Sequence, residues 1–341
     1  MKVNIKHILS LGVILLATSC MKEVDLEHLR PDPKLVLNCV ASQGEPLKAS
    51  LSRTWFYTDN YPNVTIENAT VNLFVNDRLV GEMSWLVTEE NYYSIGNYVS
   101  SYIPIAGDKV RIEAEKEGFR KVMAEEVVPG KPTLTGISVE NIKSHTPYYS
   151  SDGRRYKITF RDNPSTGDCY LIKISRGYPE YEDHPLGDYE EAPAYKGVYG
   201  WTTEYLDYTT DPVFENKISI LDKVMGNDWL SGSGGRPFSD ELFNGKEYTM
   251  KLNSNSGLSI YWPYEEERLP DSVRVYLYTI TEPYYKYLSA LTSLYDGSLN
   301  NDLADIGLAE PVRVFCNIDG GLGILGAACV DSLTAVIPKA N

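Results

Sequence analysis

Apolar and polar residues alternate with a period of two in one short segment after another of this chain. The clearest case is residues 110–115, Val-Arg-Ile-Glu-Ala-Glu, which end close to the turn residue Gly118. Alternation of this kind places one face of a β-strand in a core and the other in water. Further strand candidates, with no helical pattern between them, lie at residues 35–40, 49–54 and 71–75. Residues 34–130 are therefore predicted to form a β-sandwich.

A Pro-Gly-Lys-Pro sequence at residues 129–132 interrupts this pattern and is the predicted domain boundary. Residues 131–341 are predicted to form a larger β-rich domain with one helix packed on it. Thr281 is the predicted cap of that helix, and apolar side chains recur at helical spacing until Gly297. The strand candidates of this domain are residues 155–161, 170–176, 248–252, 273–279, 312–318, 323–330 and 334–337.

The first twenty residues have the form of a lipoprotein leader. Lys2 and Lys6 precede an apolar run at residues 8–17, which is too short to span a bilayer. Small residues then lead into Cys20, as a lipoprotein signal peptidase requires. An ordinary signal peptide or a short buried helix is the alternative. Residues 1–19 are predicted to be removed and Cys20 to be lipidated, so that acyl chains are the predicted membrane attachment.

The predicted mature chain is a tether followed by an acidic body. Residues 20–33 are polar and contain two prolines, which is typical of a tether. The chain has 32 basic and 47 acidic residues, and the loss of Lys2 and Lys6 takes its net charge from −15 to −17. Such a chain repels phosphates, so nucleic acid and anionic lipid headgroups are not predicted partners.

Four cysteines follow Cys20, and each stands alone in a strand-like segment. They are Cys39, Cys169, Cys316 and Cys329. Because no C-x-x-C pair is present, a zinc site is not predicted. Cys316 and Cys329 flank a glycine-rich bend, so they are a candidate disulfide across a hairpin. Buried free thiols are the alternative.

Catalytic motifs are missing from the sequence. Outside the leader and tether, the histidines are His145 and His184, and neither lies in a recognisable nucleophile motif. The predicted mature chain, which begins at Cys20, contains no H-E-x-x-H, G-x-S-x-G or S-x-x-K pattern. The acidic stretch 180–191 lacks the spacing of a calcium loop. No catalytic residue, metal or cofactor is predicted, although two carboxylates brought together by the fold would suffice for a glycosidase.

Aromatic residues crowd the segment 177–216, in which the strand pattern is lost. The chain has 26 tyrosines and 5 tryptophans against 8 phenylalanines. Tyrosine and tryptophan combine a large contact area with a hydrogen-bonding group, as binding surfaces require. We predict a long loop that binds a ligand or partner. The predicted binding residues are Tyr181, Tyr189, Tyr199, Trp201 and Tyr205. The alternative is that such rings cover the edge of the sandwich.

Short motifs follow one another in a specific order along most of the predicted mature chain. They are Met-Lys-Glu-Val-Asp-Leu at 21–26, Pro-Lys-Leu-Val-Leu at 33–37, Glu-Asn-Ala-Thr-Val at 67–71, residues 238–248, Tyr-Tyr-Lys-Tyr-Leu at 284–288, Glu-Pro-Val-Arg-Val at 310–314 and residues 317–326. In this order they resemble a family of outer-membrane lipoproteins of the Bacteroidota, called domain of unknown function 4249.

The resemblance implies a first domain that is Ig-like or transthyretin-like, a second β-domain, and association with a TonB-dependent outer-membrane receptor. It implies no known catalytic residue. Lys22 and Glu23, just after Cys20, resemble the acidic signal that exports such lipoproteins to the cell surface. Residues 320–326 are then expected to form a glycine-rich hairpin in which backbones approach closely.

The leading hypothesis is a surface-exposed outer-membrane lipoprotein that is an accessory binding or gating partner of a TonB-dependent receptor in nutrient uptake. Its cargo would be a small ligand, glycan or peptide. The alternatives are a surface glycan hydrolase that uses paired carboxylates of the second domain, and an adhesin or structural protein.

Overall fold

The structure is a computed structural model of the chain. It describes residues 26–60, 62–90, 93–145, 150–164, 167–182, 194–217, 231–232, 235–254, 269–295, 304 and 310–337. The chain is mainly β-stranded, which confirms the predicted fold class. Within the described ranges, no helix is both long and apolar enough to cross a membrane.

Eight strands precede the predicted domain boundary. They are β1 (Leu35–Ser42), β2 (Lys48–Arg53), β3 (Thr70–Val75), β4 (Arg78–Glu82), β5 (Ser84–Glu90), β6 (Tyr93–Val99), β7 (Lys109–Glu115) and β8 (Val122–Val127). A 3-10 turn at Glu27–Leu29 precedes them. Burial alternates residue by residue along β7, because Val110, Ile112 and Ala114 all point into the protein.

The first eight strands enclose a largely aliphatic core. Strands β4, β3, β7 and β8 form a four-stranded sheet in this order, while β5, β6, β2 and β1 lie at one end of a nine-stranded sheet. Buried side chains of both sheets, such as Leu37, Leu51, Leu73 and Ile112, belong to one cluster, which we call the first core. The first core also includes Ile318, Leu325 and Ala327 from the other end of the chain.

The remaining described strands are β9 (Thr133–His145), β10 (Ser150–Arg161), β11 (Cys169–Tyr181), β12 (Tyr195–Thr203), β13 (Leu206–Asp207), β14 (Ser231–Gly232), β15 (Arg236–Ser239), β16 (Glu247–Ser254), β17 (Ser272–Ile280) and β18 (Leu322–Val336). Two 3-10 turns, Tyr208–Thr210 and Pro212–Lys217, follow β13. Among the elements described in full, one longer helix, α1, spans Glu282–Tyr295.

These later strands enclose a second core, which is rich in aromatic rings. Strands β12, β11, β17 and β18 form the other end of the nine-stranded sheet, and β14, β13, β16, β10 and β9 form a five-stranded sheet. Side chains of both sheets belong to one buried cluster. The ring of Phe160 lies 5.8 Å from that of Tyr170 and 5.4 Å from that of Phe243, in the range of favourable ring contacts.

Strand β18 joins the two halves of the nine-stranded sheet. Its first half, residues 322–328, pairs in parallel with β1. Its second half, residues 328–336, pairs antiparallel with β17. The first core is therefore completed by the last described strand of the chain, while the predicted boundary at residue 130 falls between β8 and β9 and stays a prediction.

The glycine-rich segment 320–326 is not a hairpin, contrary to expectation, but the start of β18. The predicted close approach of backbones is present. A Cβ atom on Gly323, which has φ +111°, would lie 2.1 Å from the carbonyl oxygen of Leu37 on the neighbouring strand. Glycine is needed there because a side chain would push β18 away from β1. Residues 312–318, predicted as a strand, have no regular secondary structure.

The predicted helix is confirmed as α1. The Thr281 carbonyl accepts a hydrogen bond from the Tyr285 N–H (2.9 Å), and the Thr281 Oγ1 accepts one from the Ala327 N–H (3.2 Å). Tyr284 and Leu288 pack against a small buried cluster that includes Ala328 of β18. The helix thus contributes its apolar face to packing.

Candidate functional site

Three of the predicted binding residues lie together on one face of the β11–β12 hairpin. The ring centroids of Tyr181 and Tyr195 are 6.0 Å apart, those of Tyr195 and Tyr199 6.1 Å, and those of Tyr199 and Trp201 6.5 Å. We call these four residues the aromatic row. The guanidinium of Arg274, on the neighbouring strand β17, lies 4.2 Å from the Trp201 ring centroid and extends the row by a cation–π contact.

Glycines opposite the large rings shape this hairpin. Trp201 pairs with Gly177, and a Cβ there would lie 3.0 Å from the Trp201 ring. Tyr178 pairs with Gly200 in the same way, at 2.8 Å. Each ring therefore lies across the backbone of its partner strand, which compensates for the missing side chain. Residues 177–181 and 195–203 of the segment predicted as a long loop are thus paired strands, in which Gly and Pro conceal the period of two.

The aromatic row is partly exposed and partly tied to the protein. Tyr195 is 38% and Trp201 39% exposed. The hydroxyl of Tyr199 donates to the Pro270 carbonyl (3.0 Å), and the hydroxyl of Tyr181 accepts from the Leu269 N–H (2.8 Å). Two rings therefore fasten the residues before β17, while the other two remain open at the edge of the sheet.

Other predicted site residues are placed elsewhere. Tyr205 lies between β12 and β13, outside the ring contacts of the row, and is 51% exposed. Tyr189 lies outside the described residues, and so do Cys20, Lys22 and Glu23. Their roles stay predictions.

Sequence reasoning missed a set of buried or largely buried polar residues at one end of the second core. Five polar side chains point inward from strands or strand ends. Each lies two residues before or after an apolar side chain of the second core. We call them the polar layer; they are Arg154, Arg176, Glu204, Ser254 and Asp271. The signal was available, since Arg154 precedes Tyr156, Ile158 and Phe160 at intervals of two.

Most of the polar layer is paired internally. Arg176 donates from Nε (2.9 Å) and Nη2 (2.5 Å) to Asp271 Oδ2. Glu204 Oε1 accepts from the hydroxyls of Tyr156 (2.9 Å) and Ser254 (2.6 Å). Burial raises the pKa of Tyr156, and the adjacent Glu204 carboxylate raises it further. The layer is thus a charged network enclosed between two sheets.

Arg154 is only partly paired within this layer, through Asp271 and a polar contact with the Tyr156 side chain. Its Nη2 lies 3.9 Å from Asp271 Oδ2, which is an ion-pair distance and too long for a hydrogen bond. Burial lowers the pKa of its guanidinium, and the charge of Arg176 lowers it further. A guanidinium stays protonated in a protein, so Arg154 remains a buried cation.

A second acidic group lies at the opposite end of the second core. Carboxylate oxygens of Asp162, Asp168 and Asp240 lie within 4.8 Å of one another. Asp162 accepts hydrogen bonds from the Tyr170 hydroxyl and, at 2.6 Å, from the Gly245 N–H. Asp240 accepts from the Asp168 N–H at 3.1 Å. These carboxylates fasten the loops between strands.

The candidate disulfide is not formed, since Cys316 and Cys329 are free thiols. Cys316 Sγ lies 3.9 Å from the Gly321 carbonyl oxygen. Cys329 lies seven residues after Leu322, the first residue of β18, which at the rise of an extended strand is roughly 20 Å farther along that strand. Its thiol contacts Gln43. A disulfide requires Cα atoms within about 7 Å. The alternative of free thiols fits Cys39, Cys169 and Cys329, which are buried, and Cys316 is exposed.

Comparison with known proteins gives a family and no relative of known role. No curated protein matches the chain. A family model described as a domain of unknown function, DUF4249, matches residues 22–334, which include every described strand except the last residues of β18. The chain therefore belongs to the DUF4249 family.

Proposed function

We propose that this chain is a lipid-anchored outer-membrane protein, exposed at the cell surface, and an accessory binding or gating partner of a TonB-dependent receptor in nutrient uptake. Cys20 is the anchor in this proposal, and Lys22 and Glu23 are the export signal. The receptor enters through the family resemblance of the sequence. The binding role is supported by the aromatic row.

The aromatic row has the composition of a binding surface. Large rings with few rotatable bonds bury much area at a small entropic cost, and Tyr, Trp and Arg are enriched at the energetic centres of interfaces. Tyr195, Trp201 and the adjacent Arg274 supply all three side-chain types on one face. A partner that covers these rings would remove apolar surface that the folded chain leaves in water.

The position of the row at a sheet edge adds a second means of docking. Strand β12 is the edge strand of the nine-stranded sheet among the described strands. The outer backbone groups of an edge strand can pair with a strand of another protein. Val198, at the centre of β12, is 51% exposed and carries no charge that would discourage such pairing.

Co-purification from detergent-solubilised membranes tests the proposal. We expect the tagged wild-type chain to retain a TonB-dependent receptor, identified by mass spectrometry. The double variant Tyr195→Ala/Trp201→Ala should lose it. The matched control is Trp55→Ala/Tyr57→Ala, whose rings are 50% and 61% exposed but lie in the segment after β2; it should retain the receptor.

Two results would contradict the proposal. Recovery of the wild-type chain only as a free monomer would remove the receptor partner. Retention of the receptor by the Tyr195→Ala/Trp201→Ala variant would remove the aromatic row from the interface. A parallel Cys20→Ala variant, analysed by fatty-acid labelling, tests the anchor independently of both.

A further inference from the structure

Arg154 has hydrogen-bond donors that no described residue satisfies. Its side chain is 2% exposed, and its Nε and Nη1 atoms are buried without a hydrogen-bond partner among the described residues. The neighbouring carboxylates are engaged elsewhere, since Asp271 binds Arg176 and Glu204 binds Tyr156 and Ser254. Two of the three guanidinium nitrogens therefore lack acceptors.

Such a group is costly to the folded protein. A buried cation without acceptors loses its hydration and gains little in return. In folded proteins nearly all buried polar groups are paired, and an unpaired one indicates a missing water, an ion or a ligand. Arg154 thus marks a place where an acceptor from outside the chain would be bound tightly.

The polar layer lies next to a solvent-exposed rim of the β11–β12 hairpin. Side chains alternate along β11, so Tyr178 follows Arg176 on the inward face. Tyr178 is 38% exposed, and its ring and the carboxylate of Glu180 both border Gly200 on that face. Residues 269–271, held by Tyr181 and Tyr199, place Asp271 beside Arg176. The polar layer and the aromatic row are therefore built on the same hairpin.

We propose that Arg154 binds the oxyanion of a ligand, a carboxylate or phosphate group, that enters the end of the second core past Tyr178. The Nε and Nη1 groups donate to its oxygens, and Arg176 offsets the charge of the neighbouring Asp271. Arg forms strong, charge-assisted bonds of this kind with both groups. This inference deepens the proposed binding role by naming a ligand class, and it does not depend on the receptor.

The first test is the sign of a stability change. Arg154→Met keeps an unbranched apolar stem but removes the buried charge and its unsatisfied donors. In this variant Asp271 is still hydrogen-bonded to Arg176, and Glu204 still accepts from the hydroxyls of Tyr156 and Ser254. In the absence of oxyanions we expect the variant to melt at a higher temperature than the wild type. A lower melting temperature would assign Arg154 a structural role and overturn the proposal.

The second test is binding of simple oxyanions to the full chain. Acetate and inorganic phosphate are titrated against chloride at equal ionic strength by calorimetry and thermal melting. We expect the wild type to bind acetate or phosphate and to melt higher, and Arg154→Met to show neither response. The matched control is Arg155→Met on the opposite face of β10, where Arg155 Nε donates to Asn253 Oδ1 at 3.0 Å. It should respond as the wild type does.

A lysine variant keeps the proposal falsifiable if Arg154→Met does not fold. Arg154→Lys preserves the charge but offers one nitrogen, so we expect roughly tenfold weaker binding, the worth of one charge-assisted hydrogen bond. Equal binding by wild type and either Arg154 variant would overturn the inference, as would no response of the wild type to either oxyanion. Receptor co-purification has a separate readout, so failure of one proposal is distinguishable from failure of the other.

Discussion

The two cores of the protein are built from different residues and treat buried charge differently. Among the described residues of the first core, Tyr98 is the one buried aromatic side chain, and the rest are aliphatic apart from Cys39 and Met83. The described part of the second core contains seven buried aromatic residues. Aromatic rings fill a core with fewer and larger side chains, and the hydroxyl groups of buried tyrosines need hydrogen-bond partners. The aromatic core is thus the one that contains a polar layer.

Asp108 beside the first core is a buried charge with a full set of hydrogen bonds, whereas Arg154 beside the second core is a buried charge with unsatisfied donors. Asp108, which is 4% exposed, accepts hydrogen bonds from the Tyr102 hydroxyl (2.7 Å), the Ile105 N–H (3.0 Å) and the Asn76 amide (3.0 Å). Arg154 has no such set among the described residues. A buried charge with a full set of hydrogen bonds stabilises a turn, whereas a buried charge with unsatisfied donors indicates a binding site.

The largest expected effect is on the second core. Phe160→Ala removes a fully buried ring and should lower the free energy of unfolding by about 3–5 kcal/mol. Urea denaturation, followed with probes in each half, measures it. Because β18 belongs to both halves, we expect both transitions to shift together. If only the second half melts earlier, the two cores are independent and the shared strand does not couple them.

The contact between β1 and β18 is the next most sensitive point. Gly323→Ala combines a positive φ with a Cβ 2.1 Å from the Leu37 carbonyl oxygen, so we expect a loss of about 2–4 kcal/mol in urea denaturation. The control is Gly44→Ala, where φ is +84° and nothing lies within 4 Å of the added atom. It should lose only about 1–2 kcal/mol. Equal losses would mean that the close approach is unimportant.

The satisfied charge of the first half predicts a pH dependence. Burial raises the pKa of Asp108, but the hydrogen bonds from Ile105, Tyr102 and Asn76 outweigh burial and hold that pKa below its ordinary value. Because the folded pKa is depressed, the stabilisation is present above the unfolded value of about 3.9 and is lost as pH falls through the folded pKa.

Asp108→Asn should therefore lower the free energy of unfolding by about 2 kcal/mol at pH 7. The NH2 group of the asparagine would face N–H and O–H donors that the carboxylate accepts from. The cost should begin to shrink as pH falls below about 4, where Asp108 of the unfolded wild type becomes protonated, and should be lost once pH falls through the lower pKa of the folded state. Unfolding free energies of both proteins between acid and neutral pH measure this. A difference that does not change with pH would contradict the assignment.

The smallest stability effect is expected for the aromatic row. Trp85 of the first half and Trp201 of the second each lie across a glycine, Gly96 and Gly177. Trp85 also packs on the first core, whereas Trp201 is 39% exposed. Trp201→Ala should cost only about 1 kcal/mol, mainly its contact with Arg274, and Trp85→Ala should cost more. The reverse order in thermal melting would make Trp201 a core residue.

Local patterns were sufficient where local structure decides the fold. The period of two located β7, and Thr281 with its helical spacing located α1. Patterns failed where the partner is distant, because nothing near Gly323 reveals that it pairs with Leu37. They also failed in the β11–β12 hairpin, where glycines opposite rings conceal the alternation. The polar layer could not be predicted from apolar residues alone, because its members are charged or polar. Arg154 nevertheless stands two residues before Tyr156 and so follows the inward-facing alternation of β10.

The most direct measurement is site-specific photo-crosslinking on living cells. A benzophenone amino acid replaces Tyr195 of the aromatic row in one variant and Tyr57, in the segment after β2, in another. The account predicts a crosslinked species containing a TonB-dependent receptor for position 195 and none for position 57. Crosslinking at position 57 alone, or at neither position, would contradict it.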